Sequence, residues 1–299
     1  MGDPSAQTTA RAGLVCGLSA YSLWGILPLY FQWIKGVDNL DVLSFRVVGS
    51  LVALILVASI ARRWRHIVSV FRSRRSLGAL ALTACLIMAN WLIFIFATRS
   101  GHILELSLGY FINPLLNVML GVLLLKERLR RLQMIAVALA AMGVVAMATE
   151  GGRTLWIPLA LASTFSLYGL IRKITPVDPL EGLAVETVLL FPIAVALLAI
   201  TPDHSVAYNL QNGALLALLG PLTLIPLFLF AAATQRLPYS IMGVIQYIAP
   251  SIQFVLAVWK GEAILPVHIV TFAFIWAALG IFVTEALIVN ARKPVQAPV

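Results

Sequence analysis

The sequence predicts an all-α integral membrane protein, with ten transmembrane helices arranged as two inverted five-helix repeats. Three observations predict this fold class. Of 299 residues, 61% are hydrophobic and 11% are charged, with a mean hydropathy of +0.97, whereas soluble domains have roughly 25% charged residues. Apolar runs recur at about 20 residues, the length that a helix needs to cross a hydrocarbon core about 30 Å thick. The two halves of the chain also carry similar motifs.

Ten apolar runs bounded by charged residues, proline or glycine are the predicted spans. They lie near residues 13–33, 42–61, 77–97, 104–125, 132–149, 154–172, 181–200, 212–232, 239–259 and 266–289. Continuous runs such as Leu51 to Ile60 exclude a β-barrel, whose strands alternate in polarity. The first run is longer than the apolar core of a secretory signal and more spans follow it directly, so we expect it to be retained.

Matching motifs occur in the same order in both halves. SLWG (22–25) in span 1 corresponds to SLYG (166–169) in span 6, and YFINP (110–114) in span 4 corresponds to QYIAP (246–250) in span 9. Each half has five spans, an odd number, so the second half enters the membrane in the opposite sense. We predict a repeat over residues 1–149 and an inverted repeat over residues 150–299.

Inverted repeats predict a secondary transporter. Such proteins build two similar gates around a site at the membrane midplane, and interrupted helices at equivalent positions of the two repeats mark that site. Pro114 and Pro250 are an equivalent pair. We therefore expect spans 4 and 9 to be interrupted helices beside the site.

Aromatic side chains occur on the spans at places where they can surround a ligand. They are Tyr21, Trp24, Trp91 with its neighbour Asn90, Tyr168 and Tyr247. Small-molecule pockets are lined mainly by apolar and aromatic side chains with a few polar groups. We expect these residues to line a pocket for a partly apolar ligand, with ordinary helix packing as the alternative.

Span 2 contains Arg46, the one basic residue inside a predicted span. If both termini face the cytoplasm, Arg46 and Glu105 of span 4 lie at similar depth, each within about two turns of the outer surface. A charge alone in the bilayer costs at least about 2.5–3.5 kcal/mol. We therefore expect an Arg46–Glu105 pair in an outer gate or polar site, and a permanent structural salt bridge is the alternative.

Span 4 carries a polar stripe. Its members are spaced four residues apart and are Glu105, Gly109, Asn113 and Asn117. Pro114 has no backbone N–H to donate, so the carbonyl of Tyr110, beside this stripe, is left without its helical hydrogen bond. We expect this face to line a cavity, because exposed polar backbone is costly in lipid. The alternative is that Asn113 and Asn117 hydrogen-bond a neighbouring helix.

Spans 7 and 9 add the remaining polar candidates. Glu186 occupies the place in the second half that Arg46 occupies in the first, and Arg172 and Lys173 are the cations available to it near the inner face. A low dielectric favours the protonated carboxyl group, so Glu105 and Glu186 are candidates for proton coupling. Gln246 and Gln253 are candidates, together with Asn113 and Asn117, for hydrogen bonds to substrate, and Arg46 is the candidate for an anionic group.

The net charge of +9 reports topology. With cytoplasmic termini, sixteen of the 21 basic residues fall in inward segments, and the outward loops hold Lys35, Arg99, Arg153 and Lys260. Such asymmetry orients membrane proteins, and anionic lipid is the expected contact of the inward residues. We therefore expect no nucleic-acid partner.

No motif predicts an enzyme, a metal or a cofactor. Cys16 and Cys85 both lie inside spans, and the histidines lie in loops or at span ends: His66, His102, His204 and His268. No shared helical face brings them together as metal ligands, and no nucleophile or phosphate-binding motif occurs. An intramembrane enzyme would have only Glu105 with His102 as a reactive pair.

Several motifs carry a family resemblance. They are AYSLWG (20–25), PLYF (28–31), FR (45–46), NWLIF (90–94), ELSLGYFINPLLN (105–117), LKERLRR (125–131), YGLIRK (168–173) and FAFIW (272–276). Together they resemble the RarD branch of the EamA group, in the drug/metabolite transporter superfamily. The resemblance implies two EamA-like repeats, a bacterial inner-membrane location and alternating access. In related transporters spans 1–4 and 6–9 enclose the cavity and spans 5 and 10 are a scaffold.

We therefore predict a multi-pass secondary transporter of the bacterial inner membrane, with cytoplasmic termini. It is expected to move a small organic metabolite or drug-like molecule by alternating access, with proton coupling as one form. An uncoupled facilitator and a non-transporting sensor or assembly subunit are the alternatives.

Overall fold

The computed structural model describes residues 4–100, 102–150, 155–200, 210–261 and 265–291, and these ranges contain helices and no strand. The helices are α1 (Pro4–Phe31), α2 (Asn39–Ile60), α3 (Trp64–Arg72), α4 (Arg74–Arg99), α5 (Ile103–Leu123), α6 (Arg131–Glu150), α7 (Trp156–Ile174), α8 (Pro179–Ile200), α9 (Leu210–Arg236), α10 (Tyr239–Gln246), α11 (Ile248–Trp259) and α12 (Pro266–Ala291).

The described helices form ten membrane spans. The short helix α3 joins spans 2 and 3, α10 and α11 together form span 9, and each other helix is one span. In the described ranges, nine spans are long and apolar enough to cross a membrane by length and composition alone. The tenth, α7, carries Arg172 and Lys173 in its last turn. The all-helical, multi-pass fold class is therefore confirmed.

The two prolines at equivalent repeat positions act differently. Span 9 is interrupted as predicted, because α10 ends at Gln246, four residues before Pro250, and α11 begins at Ile248. Between them, the N–H of Tyr247 donates to the carbonyl of Val244 at 3.3 Å. Proline offers no N–H to the carbonyl four residues earlier. Helix α5 instead runs unbroken through Pro114, so the predicted interruption of span 4 is wrong. One missing hydrogen bond can bend a helix without ending it.

The contacts between helices are symmetric between the halves. Span 1 (α1) packs on spans 8 and 9, and its counterpart, span 6 (α7), packs on spans 3 and 4. Span 2 packs on span 8, and span 7 packs on span 3. Spans 5 and 10 (α6 and α12) pack mainly on each other. This exchange of partners is what two similar repeats produce, and it leaves the other eight spans around the centre. The repeat boundary at residue 149 stays a prediction.

Glycine allows one of these crossings to be close. Gly49 of α2 faces Gly220 of α9, and a Cβ on Gly49 would lie 3.2 Å from the Cα of Gly220. The hydroxyl of Ser50 donates to the carbonyl of Gly220 at 3.1 Å. Small residues let helix backbones approach in this way within membranes. The crossing holds the first half against the second beside the cavity described below.

Candidate functional site

Three buried amides meet at the interruption of span 9, and we call them the amide cluster: Asn113, Asn117 and Gln246. Gln246 donates its Nε2 to the Oδ1 of Asn113 and accepts from the Nδ2 of Asn117 at 2.7 Å. Asn113 and Asn117 lie one turn apart on α5, so both amides reach the same partner. The cluster therefore joins the first half of the chain to the second.

Two more helices contact the amide cluster. The Nδ2 of Asn113 donates to the carbonyl of Ala162 at 2.8 Å and to the hydroxyl of Ser166 at 3.1 Å, both on α7. The hydroxyl of Tyr21 on α1 is 3.5 Å from the Oε1 of Gln246. In this conformation Asn113 and Asn117 thus bond to neighbouring helices, which is the alternative to lining an open cavity.

Five aromatic rings pack beside the amide cluster, and we call them the aromatic cluster: Tyr21, Trp24, Phe165, Tyr168 and Phe230. Ring centroids of Tyr21 and Trp24 lie 5.6 Å apart, and those of Phe165 and Tyr168 lie 5.9 Å apart. Phe230 of α9 contacts all four rings. Tyr21 and Phe165 directly precede the matching SLWG and SLYG motifs, and Trp24 and Tyr168 lie within them, so equivalent positions of the halves meet at one ring. Sequence reasoning missed Phe165 and Phe230, although the repeat alignment places Phe165 opposite Tyr21.

The buried carboxylate of Glu186 lies next to the aromatic cluster. Glu186 accepts from the hydroxyl of Thr83 at 2.6 Å and from that of Tyr168 at 3.4 Å. The Nε of Arg172, a side chain that is 1% exposed, is 3.7 Å from its Oε1. The cation expected near Glu186 is therefore present, and Tyr168 links this carboxylate to the aromatic cluster.

Arg46 is half-buried beside a small cavity between spans 2, 3, 7 and 8. Its Nε donates to the hydroxyl of Thr223 at 3.1 Å, and its Cζ lies 4.5 Å above the ring of Trp91. The cavity has room for about 20 Å³, which is the space of about one water. Its lining is Val47, Ser50, Trp91, Leu183, Thr187, Leu190, Thr223, Leu224 and Leu227. Both partners of Arg46 thus face the cavity.

The expected Arg46–Glu105 pair is not present among the described side chains. Glu105 lies near the start of α5, and its Oε1 is 3.2 Å from the Nδ1 of His102. Arg46 uses Thr223 and Trp91. Similar depth did not bring the two charges together, because depth leaves the rotation of each helix about its axis undefined.

The other predicted site residues have different partners. Asn90 donates to the carbonyl of Leu161 and the hydroxyl of Thr164 on α7. Tyr247 donates to the carbonyl of Phe111 at 3.2 Å, and Gln253 donates to that of Trp24 at 3.3 Å. Tyr110 is 41% exposed and interacts electrostatically with Arg46.

Sequence reasoning missed a contact at the turn between α9 and α10. The carboxylate of Glu127 accepts from the N–H groups of Tyr239 and Ser240 at 2.6 and 2.8 Å. Lys173 donates to the carbonyls of Thr234 and Leu237. These two side chains, from opposite halves, form what we call the turn clamp. The only sequence signal was the acidic residue within the basic LKERLRR motif.

Some predicted positions lie outside the described residues, namely Arg153, His204, Arg292 and Lys293, and nothing is described of the side chain of Arg99. Within the described ranges, no group of three His, Cys, Asp or Glu residues is placed to hold a metal ion.

Comparisons with known proteins agree with the fold. Residues 11–149 match the EamA-like transporter family. An uncharacterized transporter of Vibrio cholerae is 46% identical over 286 residues, which are 94% of this chain and 95% of that protein. Protein RarD of Escherichia coli K12 is 42% identical, over 94% of this chain and 97% of its own. A crystal structure of a protein 20% identical to this chain matches it with a TM-score of 0.72, over 95% of this chain and 99% of its own.

Proposed function

This chain belongs to the EamA-like transporter family as a RarD-like member, and we propose that it moves a small organic metabolite or drug-like molecule across the bacterial inner membrane by alternating access. Its multi-pass membrane fold and family membership give the class of protein. The substrate site, the coupling and the cytoplasmic location of both termini are proposed.

The amide cluster is the observation that carries this proposal. It lies where span 9 is interrupted, and its hydrogen bonds join side chains of both halves. The Oδ1 of Asn117, a residue with 0% exposure, has no hydrogen-bond partner in the described structure. A buried acceptor without a donor is costly, so a substrate donor at this position would be favoured. A substrate that replaces the Gln246 contacts would also loosen one half from the other.

The aromatic cluster supplies the apolar wall of the same proposed site. Tyr21 belongs to both clusters, which places one polar group at the border between rings and amides. Binding sites for small molecules combine such walls with few polar groups. We assign substrate contact to Tyr21, Trp24, Tyr168, Asn113, Asn117 and Gln246.

Glu186 is the proposed coupling group. It is 3% exposed, and its neighbours are two hydroxyls and the guanidinium of Arg172. Proton exchange at such a carboxylate can accompany movement of α7 against α8. The ion pair of Glu186 with Arg172 also favours the alternative, an uncoupled facilitator, because Arg172 can keep Glu186 ionised throughout.

The test compares small molecules inside and outside cells that produce wild-type protein, Gln246→Leu or Gln211→Leu at equal abundance. Gln211 is exposed at the start of α9 and provides the same chemical change outside the site. We expect wild type and Gln211→Leu to redistribute the same compound and Gln246→Leu to lose at least about 90% of that flux, since three hydrogen-bonding groups lose their partner.

Two results would count against the proposal. Equal redistribution by Gln246→Leu would remove the amide cluster from the transport site. No redistribution by wild type, in cells and then in liposomes supplied with a drug and metabolite panel, would contradict transport itself.

A further inference from the structure

Arg46 is a cation in a membrane span whose guanidinium is only partly used by the protein. Its Nε donates to Thr223, and the plane of the group lies over Trp91. Among the described side chains, no carboxylate lies within ion-pair distance of it, and neither terminal nitrogen has a hydrogen-bond acceptor. The titratable group that interacts with it most is the phenol of Tyr110, which is uncharged at neutral pH.

Two other basic side chains deep in the bundle have a counter-ion or carbonyl acceptors within the protein, although the Nε and Nη1 of Arg172 make no hydrogen bond. Arg172 faces Glu186 and donates to the carbonyl of Pro179, and Lys173 donates to two carbonyls at the end of α9. A charged group in a membrane span is expensive unless it is paired. The free edge of the Arg46 guanidinium is therefore better explained by a partner that binds and leaves than by a role in packing.

The cavity next to Arg46 is suited to a small amphipathic anion. Trp91 and Thr223 contact Arg46 and also line the cavity, Ser50 and Thr187 add hydroxyl groups, and leucine side chains complete the wall. No acidic residue is among its described lining residues. Glu186, the neighbour of Thr187 in the chain, is engaged by Thr83, Tyr168 and Arg172.

The number of cations limits the charge of the ligand. One guanidinium offers a planar fork of N–H groups that matches one carboxylate in a bidentate geometry. Arg46 lies beside the cavity, and no basic residue is among the described lining residues, so a dianion would keep an uncompensated charge in a low dielectric. In this conformation the cavity has room for only about 20 Å³, against the 300–1,000 Å³ typical of sites for drug-sized ligands. The surrounding spans must therefore separate before a ligand enters, and a small ligand requires the least movement.

We propose that the substrate is a small organic monocarboxylate, whose carboxylate binds the free edge of Arg46 and whose apolar or aromatic body lies against Trp91 and the leucine side chains of the cavity. This rests on the proposed transport function and gives it a substrate class. The carboxylate site lies on spans 2, 3, 7 and 8, and span 8 also carries Phe230 of the aromatic cluster.

The test measures binding by quenching of tryptophan fluorescence with purified protein in lipid nanodiscs. The probes are acetate, benzoate and phenylacetate, each compared with its neutral primary amide, and phenyl phosphate serves as the dianion. We expect at least one carboxylate to bind saturably and at least about tenfold more tightly than its amide, because the amide cannot form the ion pair. Phenyl phosphate is expected to bind more weakly than benzoate.

Variants assign the binding to Arg46. Arg46→Gln is expected to bind carboxylate and amide equally, and Arg46→Lys, which keeps the charge but loses the fork, to bind carboxylates at least about tenfold more weakly than wild type. Arg128→Gln removes an exposed guanidinium from the loop after α5 and is expected to bind as wild type. If Arg46→Gln does not fold, Arg46→Lys decides.

The outcomes distinguish failure of the monocarboxylate proposal from failure of the proposed transport function. Equal binding of every carboxylate and its amide to wild type, or unchanged carboxylate selectivity in the Arg46 variants, would overturn the monocarboxylate proposal. Flux of neutral compounds in liposomes would then leave transport standing. Carboxylates that bind through Arg46 but are not carried across liposome membranes would support the site and contradict the transport function.

Discussion

Gly220 is a residue whose missing side chain determines how closely two helices approach. A Cβ at this position would overlap the backbone of Gly49 and Ser50 on α2, and backbone cannot move aside as a flexible side chain can. We predict that Gly220→Ala lowers the free energy of unfolding by about 1–3 kcal/mol, measured as thermal stability in detergent. Gly280→Ala on α12, where a Cβ meets no atom within 4 Å, is the matched control. Equal stability of the two variants would contradict the close crossing.

Glu186 is the residue on which proposed proton coupling depends. Its charged or titratable neighbours are Arg172 and Tyr168 of α7, and Thr83 of α4 donates to it. We predict that an imposed pH gradient accelerates wild-type uptake into liposomes. Glu186→Gln cannot release a proton, so its flux is expected to ignore the gradient while exchange of substrate across the membrane continues. A wild type that ignores the gradient would favour the facilitator.

At the scale of single residues, the sequence predicts which side chains are polar within spans but not how they pair. Helical spacing predicts that Asn113 and Asn117 share one face of span 4, but it does not predict that their partner there is Gln246. Arg46 and Glu105 were matched by depth, yet each bonds elsewhere. Partner choice depends on helix rotation and tilt, which arise from packing of all ten spans and leave no periodic signal.

The turn clamp shows how two helix ends are held by one pair of side chains. Glu127 lies at the N-terminus of α10, where backbone N–H groups carry partial positive charge, and Lys173 lies at the C-terminal carbonyls of α9. Lys126, with φ of 56°, turns the chain at the end of α5, and the N–H of Glu127 donates to the carbonyl of Gly121 at 3.0 Å. This local geometry returns the carboxylate of Glu127 towards α10.

We predict that Glu127→Gln loosens the first turn of α10. The neutral amide loses the attraction to the helix end and one of its acceptor oxygens, so hydrogen exchange at the amides of Tyr239 and Ser240 is expected to be about tenfold faster. Hydrogen exchange followed by mass spectrometry measures it. Asp178→Asn is the control, because Asp178 caps α8 through the N–H of Leu180. Unchanged exchange in α10 of Glu127→Gln would contradict the clamp.

At the scale of helices, apolar runs and the charged residues, prolines and glycines that bound them predict where a span lies. They predict less well whether that span is one continuous helix. Each of the ten predicted runs corresponds to a described span, because a membrane imposes length and polarity on the sequence directly. Pro114 and Pro250 have the same local chemistry, yet only span 9 is interrupted. Whether a proline bends or ends a helix is decided by its neighbours, so a motif match between repeats could not predict it.

The molecule as a whole has a strongly basic surface at one end. Five exposed arginines surround α3, namely Arg62, Arg65, Arg72, Arg74 and Arg75. The loop after α5 adds Arg128 and Arg130 at the same end, since α2 and α5 end there and α4 and α6 begin there. The opposite end has Lys35 and Lys260 in its described loops. With ten spans, α1 begins and α12 ends on the basic side.

We predict that this basic end faces the cytoplasm, because positively charged loops are retained there during insertion. Alkaline phosphatase, which folds only outside the cytoplasm, is expected to be inactive when fused to the C-terminus and active when fused after Gly36, between α1 and α2. Green fluorescent protein, exported unfolded through the same pathway, is expected to show the reverse. Active phosphatase at the C-terminus with none after Gly36 would show the opposite orientation in the membrane. Arg46, expected near the outer surface, would then lie near the cytoplasm and bind a carboxylate that arrives from that side.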